Sequence, residues 1–156
     1  MRLAYISLGI DKGYNLNFKL DKAQRLRSPK DYRRVYQSKQ WGGSAHHTFN
    51  VVAADTQNSQ TVTVANALGV TVSKKVSKLA VQRNLIKRQT KEFYRLHQHQ
   101  LQPSVELVIT AKPSCAKADS DHRNASLELL WQKILKWQNW YQKTQLQESQ
   151  LNSPTR

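Results

Sequence analysis

The stretch Ala67-Leu68-Gly69-Val70-Thr71-Val72-Ser73-Lys74-Lys75-Val76, followed by Arg83-Asn84-Leu85-Ile86-Lys87-Arg88, decides how this chain is read. Its first part is apolar and β-branched, which predicts a strand over 67–73. Its second part changes to a helical period. Ser77 is the expected N-cap, and the helix should run to about His99, because Pro103 forbids continuation. At about 100° per residue, Leu79, Leu85, Ile86, Phe93 and Leu96 form one apolar arc. Arg83, Asn84, Lys87, Arg88, Lys91 and Arg95 fall on the other face, which is nearly all basic. Beyond the helix, residues 105–111 (Val-Glu-Leu-Val-Ile-Thr-Ala) form a nearly continuous apolar run, read as a central strand.

Upstream, Ser28-Pro29-Lys30-Asp31 reads as a helix start, with Ser28 as N-cap, Pro29 at the first helical position and Asp31 near the positive end. Tyr32, Val35 and Tyr36 then share one face. Trp41-Gly42-Gly43-Ser44 breaks this helix. Residues 47–54 alternate as a strand through Phe49, Val51 and Ala53, and 61–65 is short and β-branched. Asn66 is either a bulge between 61–65 and 67–73 or part of one long bent strand. Residues 113–122 read as a loop. A last helix over about 123–145 places Leu127, Leu130, Trp131, Ile134, Leu135 and Tyr141 on one face, with Trp137 at its edge and Leu129 and Trp140 off it. The expected order is α-β-β-β-α-β-α, a small α+β sandwich. Residues 1–17 read as a flexible extension, 18–144 as the single domain and 145–156 as a disordered tail.

The 156 residues carry 25 Lys+Arg against 10 Asp+Glu, a net charge of +15, with 38% hydrophobic residues. Cys115 is the only cysteine, which excludes an intramolecular disulfide and a Cys-based zinc site. No stretch approaches the roughly 20 apolar residues of a membrane span. The run at 3–10 is followed at once by Asp11 and Lys12 without a cleavage site, so it reads as no export signal, and a cytoplasmic protein is expected.

The charge is concentrated. Between 19 and 39, eight cations against two anions leave +6; between 74 and 95, eight against one leave +7. Such patches point to a polyanionic partner. Chemistry carried by protein side chains has little support: the acids are scattered, His46-His47 and His97-x-His99 lack ligand spacing and read as surface residues, and Cys115 has no identifiable base nearby. Tyr32 and Tyr36 either pack the first helix onto the sheet or offer stacking surfaces for unpaired nucleotides beside a basic rim. Trp131 and Trp137 read as core.

The run 68–76 ending in Ser73-Lys74-Lys75-Val76, the Arg-Asn helix at 83–88 and Glu92-Phe93-Tyr94-Arg95 together resemble the bacterial ribonuclease P protein component. Arg25-Leu26, Asp31-Tyr32-Arg33-Arg34-Val35-Tyr36 and the strand 105–111 followed by Lys112 resemble it too, so the likeness spans roughly 18–140. One position departs: the second Arg of the family's Arg-Asn-Arg triplet is Leu85, read here as the edge of the apolar arc.

The resemblance implies an α/β sandwich with a left-handed βαβ crossover. It implies an RNA-binding subunit of the endonuclease that removes the 5′ leader of precursor tRNA, leaving a 5′-phosphate. Ser73, Lys74, Lys75, Arg83, Asn84, Lys87, Arg88 and Lys91 would bind the catalytic RNA, one protein per RNA. Tyr32, Tyr36 and Phe49 would line the leader cleft. Catalysis would rest with the RNA and its Mg²⁺, with no catalytic or metal-binding protein residue. The rival expectation is a general RNA-binding module, ribosomal-protein-like or an RNA chaperone, using the same basic helix without a role in cleavage. A protein nuclease is disfavoured by the absence of clustered acids.

Overall fold

A computed structural model describes residues 24–53, 66–101 and 105–152. The elements run α1 (Pro29–Gln37), β1 (Trp41–Gly43), β2 (His47–Ala53), β3 (Ala67–Thr71), α2 (Ala80–His97), β4 (Val105–Ala111) and α3 (Ser120–Leu151), with single 3₁₀ turns at Gln98–Gln100 and Pro113–Ala116. The mixed α+β architecture and the α-β-β-β-α-β-α order agree with the sequence reading. The identity of one strand does not. Trp41–Gly43, read as a helix break, pairs antiparallel with β2, while the expected strand at 61–65 lies outside the described residues.

The sheet order is β1-β2-β4-β3. β4 pairs antiparallel with β2 and parallel with β3, and is central as its apolar run predicts. The β3–α2–β4 unit is the one whose crossover the resemblance implies to be left-handed. Asn66 stands just before β3, and its relation to the expected strand at 61–65 lies outside the described residues; its Oδ1 accepts from the Val105 amide at 2.8 Å, tying the starts of the parallel pair together. The outer edge of β3 is covered by a bridge from Arg25, with the Leu26 amide donating to the Leu68 carbonyl at 3.0 Å. Unpaired edge groups invite association with other chains, and this segment blunts them.

Alternation along the strands gives the sheet two different faces. One face of β2 and β4 contributes Phe49, Val51, Leu107 and Ile109, which pack with Phe93 and Tyr94 of α2 and with Leu127, Leu130, Trp131 and Ile134 of α3. Trp131 meets Phe93 and Tyr94 edge-on, both with ring centroids at 6.1 Å, and its indole donates to Gln100 Oε1. The opposite face carries Ala67, Val108 and Val52, which pack with Leu26, Tyr32 and Val35 beneath α1. A third cluster joins Val72 and Val76 to Ile86, Ala111 and Cys115.

α1 begins as read. Ser28 Oγ accepts from the Asp31 amide, Asp31 reciprocates on the Ser28 amide, and Pro29 stands at the first helical position, a capping box that contributes about 1 kcal/mol. α3 exceeds its expected bounds at both ends. Asp119 caps it by accepting from the His122 amide, and it continues to Leu151 through residues assigned to the tail. Leu129 and Trp140 are exposed, as the helical face predicts. No helix among the described residues is long and apolar enough to cross a membrane.

Candidate nucleic-acid interface

The basic loop and helix are held from beneath by apolar anchors. Val76 is buried, and its amide donates to the Ser73 carbonyl at 3.0 Å, closing a turn that leaves Ser73, Lys74 and Lys75 exposed. Ser77 is not the N-cap. Its hydroxyl accepts from the Leu79 amide and donates to Gln82 Oε1, and α2 starts at Ala80 with Leu79 as a cap that offers no side-chain bond. The serine therefore shapes the entry loop instead of closing the helix. The first turn of α2 holds no acidic residue, so its amide ends favour an anion. Arg83 Nη1 donates to the Ser77 and Lys78 carbonyls, both at 2.9 Å, and so braces that loop.

Asn84, Arg88 and Lys91 are exposed and Lys87 half-exposed on the outer side of α2. Among the described residues, no carboxylate forms an ion pair with Lys74, Lys75, Lys87, Arg88 or Lys91. The apolar arc is rotated from its expected position. The buried positions are Ile86, Thr90, Phe93 and Tyr94, whereas Leu79 and Leu85 are exposed. Thr90 fits the interior because its hydroxyl donates to the Ile86 carbonyl. Leu85, 53% exposed, thus stands on the basic face and not at the core edge.

On the α1 side of the sheet, Tyr32 lies across Gly69 of β3, where a Cβ would meet its ring at 2.6 Å. Burial raises the phenol's pKa, and the neighbouring Tyr36 adds to the shift. Val at position 69 would force Tyr32 and the helix away; Gly69→Val is expected to cost about 1–3 kcal/mol, read as a lower urea midpoint. Arg34, on the other flank of α1, makes a two-pronged ion pair with Glu106 of β4 and a second contact with Asp31. These bonds hold Arg34 above its ordinary pKa and commit one of the N-terminal cations to structure. At the C-terminal end, Ser38 Oγ donates to the Val35 and Val51 carbonyls, and Lys39 turns the chain with φ 56. α1 therefore crosses the sheet from β3 toward β2. Tyr36 is 43% exposed on the flank away from Arg34.

Phe49 does not join the two tyrosines. It is buried on the opposite sheet face, under Gly42, where an added Cβ would meet its ring at 2.7 Å. Strand parity explains this: the α1 face of β2 belongs to Thr48, Asn50 and Val52, and Phe49 alternates away from them. The polar residues Thr48, Asn50, Thr71 and Thr110, with the Thr71 and Thr110 hydroxyls 2.7 Å apart, were not expected to line this face; the same parity would have found them.

His47 is buried, not a surface residue. Its Nδ1 lies 2.9 Å from Ser126 Oγ and its Nε2 3.6 Å from Cys115 Sγ, so the thiol does have an imidazole neighbour. Burial lowers the His47 pKa to about 4 and raises that of Cys115. Both are neutral at pH 7, which is the reverse of an activated thiolate pair. His97 is likewise half-buried, stacked on Phe93 with centroids at 4.0 Å. No group of three or more metal-ligating side chains occurs among the described residues. Asp31, Glu92 and Asp119 are engaged by Arg34, Arg95 and His122, so these side chains do not fit a Mg²⁺ site.

The chain that carries this basic loop and helix and this tyrosine-flanked sheet face is similar to known proteins. The family model described as Ribonuclease P matches residues 20–135. The chain belongs to the ribonuclease P protein family. The ribonuclease P protein component of Sodalis glossinidius is 38% identical over 109 residues, 70% of this chain and 85% of that protein. That of Aliivibrio salmonicida is 34% identical over 119 residues, 76% and 95% of the respective chains. In fold, the chain is similar to the solved RNase P protein of Staphylococcus aureus (TM-score 0.62, 22% identity, 72% of this chain and 96% of that one). The ribonuclease P match ends within α3, which here continues for several turns beyond it.

Proposed function

We propose that this chain, the protein component of a ribonuclease P, binds the catalytic RNA through Ser73, Lys74, Lys75, Arg83, Asn84, Lys87, Arg88 and Lys91. The 5′ leader of precursor tRNA lies against Tyr32 and Tyr36. The observation that carries most of this reading is the set of exposed cations from 74 to 91 that no described carboxylate neutralises. Glu106, Glu92 and Asp119 are paired instead with Arg34, Arg95 and His122. A basic surface of this kind lowers the repulsion between two RNAs that must meet in one complex. Arg83 serves both sides of the task, bracing the loop while presenting its charge at the same edge.

In this reading the metal-dependent hydrolysis, which leaves a 5′-phosphate on the tRNA, belongs to the RNA subunit and its Mg²⁺. The protein supplies affinity for the leader and lets the complex form in less Mg²⁺. One protein serves each RNA, in the cytoplasm. Reconstitution tests this. The protein alone should leave precursor tRNA intact, and with its cognate catalytic RNA it should lower the Mg²⁺ needed for half-maximal cleavage. Cleavage by the protein without RNA, or an unchanged Mg²⁺ requirement, would overturn it.

A further inference from the structure

Trp41 belongs to β1, at the far edge of the sheet from β3. It is 71% exposed, the largest apolar side chain so placed on any strand of the described sheet. Its backbone partner is Asn50, and directly opposed residues of an antiparallel pair point to the same face. Asn50 shares its parity with Val52, which packs beneath α1 with Tyr32. Trp41 is therefore on the α1 face and not on the face that carries α3. Gln40, one residue earlier, points the other way and accepts from the Trp137 indole of α3 at 2.7 Å.

The three exposed or half-exposed aromatics of this face fall in order. Tyr32 sits over Gly69 of β3. Tyr36 is one helical turn further along α1, whose C-terminal end is fastened to the Val51 carbonyl of β2. Trp41 follows at β1, just past the left-handed turn at Lys39. Three inter-strand steps separate β3 from β1, about 14 Å. That is roughly four nucleotides stacked at about 3.4 Å each, and fewer if extended. Asn50 lies in the same cross-sheet row as Trp41 and Gly69, and the adjacent row of this face carries Thr48 and the Thr71–Thr110 pair, polar groups suited to sugar and phosphate. Among the described residues no side chain accepts from the Trp41 indole and the ring is largely open to solvent, so neither a hydrogen bond nor packing among them accounts for its placement.

We propose that Trp41 is the distal stacking platform of the leader path, holding an unpaired base at the β1 edge and so setting how many leader nucleotides the protein senses. The proposal rests on the leader-binding reading above and adds a specificity-determining residue to it. Base-on-aromatic stacking tolerates any base, so the platform selects for leader length more than for sequence.

The test uses the complex of the full chain with its catalytic RNA, and precursor tRNAs whose leaders are lengthened one nucleotide at a time, with mature tRNA as reference. Affinity should climb with leader length. Trp41→Ala should remove about tenfold of that gain, only for leaders long enough to reach β1, and Trp41→Phe should restore most of it. Tyr36→Ala should weaken shorter leaders as well. If Trp41→Ala binds every leader as the wild type does while Tyr36→Ala is selectively weak, the Trp41 proposal falls and the cleft reading stands. If neither variant distinguishes leader-bearing from mature tRNA, the cleft reading falls too. Equal weakening of all substrates by Trp41→Ala, mature tRNA included, also overturns the proposal.

Discussion

Alanine at Lys74, Lys75, Arg88 and Lys91 together is expected to weaken binding of the catalytic RNA about a thousandfold near 0.15 M salt. Each phosphate no longer neutralised should also lower the log–log salt slope by roughly 0.7–0.9, so the quadruple variant should be flatter by about 3. The four side chains are exposed, and no described carboxylate pairs with them, so their removal leaves the fold intact. Far-UV circular dichroism and the urea midpoint should match the wild type. Arg83 stays in place in this variant because it also bonds the Ser77 and Lys78 carbonyls; Arg83→Ala would mix a weaker grip on phosphate with a looser loop. Binding isotherms at four or five salt concentrations decide the matter. An unchanged slope would place the RNA interface elsewhere on the protein.

The second large effect is on stability below neutral pH. His47 is enclosed by β2, α3 and the turn after β4, with Ser126, Cys115, His46, Arg123 and Lys112 around it. Burial is the leading cause of its lowered pKa, and the nearby cations add to it. In the unfolded chain it titrates near 6.5, in the folded one near 4. Between those values the unfolded chain takes up a proton that the folded chain refuses. Stability is therefore unaffected by this group above about pH 6.5 and falls as pH drops toward 4, by roughly 3 kcal/mol in all. Asp31 and Glu92 have lowered pKa values from their serine and arginine partners, and Asp119 from His122. Their stabilising effect is lost only in more acidic solution, at and below the ordinary carboxylate range. Urea melts between pH 7.5 and 5 thus isolate His47, and His47→Gln should flatten most of the slope in that window. A slope that persists in the variant would assign the acid sensitivity to another group.

The fold is legible where one signal dominates. Ser28-Pro29-Lys30-Asp31 carries cap, proline and carboxylate in the required order, and the structure builds the reciprocal box. The run 105–111 is apolar at nearly every position because its strand has a neighbour on each side and packed layers above and below. Trp41-Gly42-Gly43 is opaque for a physical reason. Two glycines argue against a strand, yet Gly42 is there because the Phe49 ring leaves no room for a Cβ.

In the site, residue type locates the basic loop and helix, but the helical period alone misjudges which way α2 turns. The core accepts Thr90, whose hydroxyl is satisfied by its own helix, and leaves Leu85 outside. Phe49 is misplaced when its chemistry is given precedence over parity; counting by twos from Val52 chooses Asn50. His47 and Cys115 lie far apart in sequence, and only the fold of β2 against the turn after β4 brings them together.

The central strand is also the last strand of the chain. Both neighbours of β4 precede it, β2 in antiparallel and β3 in parallel pairing. Non-local pairing of this kind is slow, because loop closure comes before the contacts that reward it. As the chain leaves the ribosome, α1 is followed by the hairpin of β1 and β2, then β3 with its inner edge bare, then the whole of α2. No continuous sheet can assemble until residues 105–111 arrive. Throughout that interval the cationic loop and helix are already exposed while the platform that will fix them is missing, and a nearby RNA is the polyanion that could shield their mutual repulsion in the meantime.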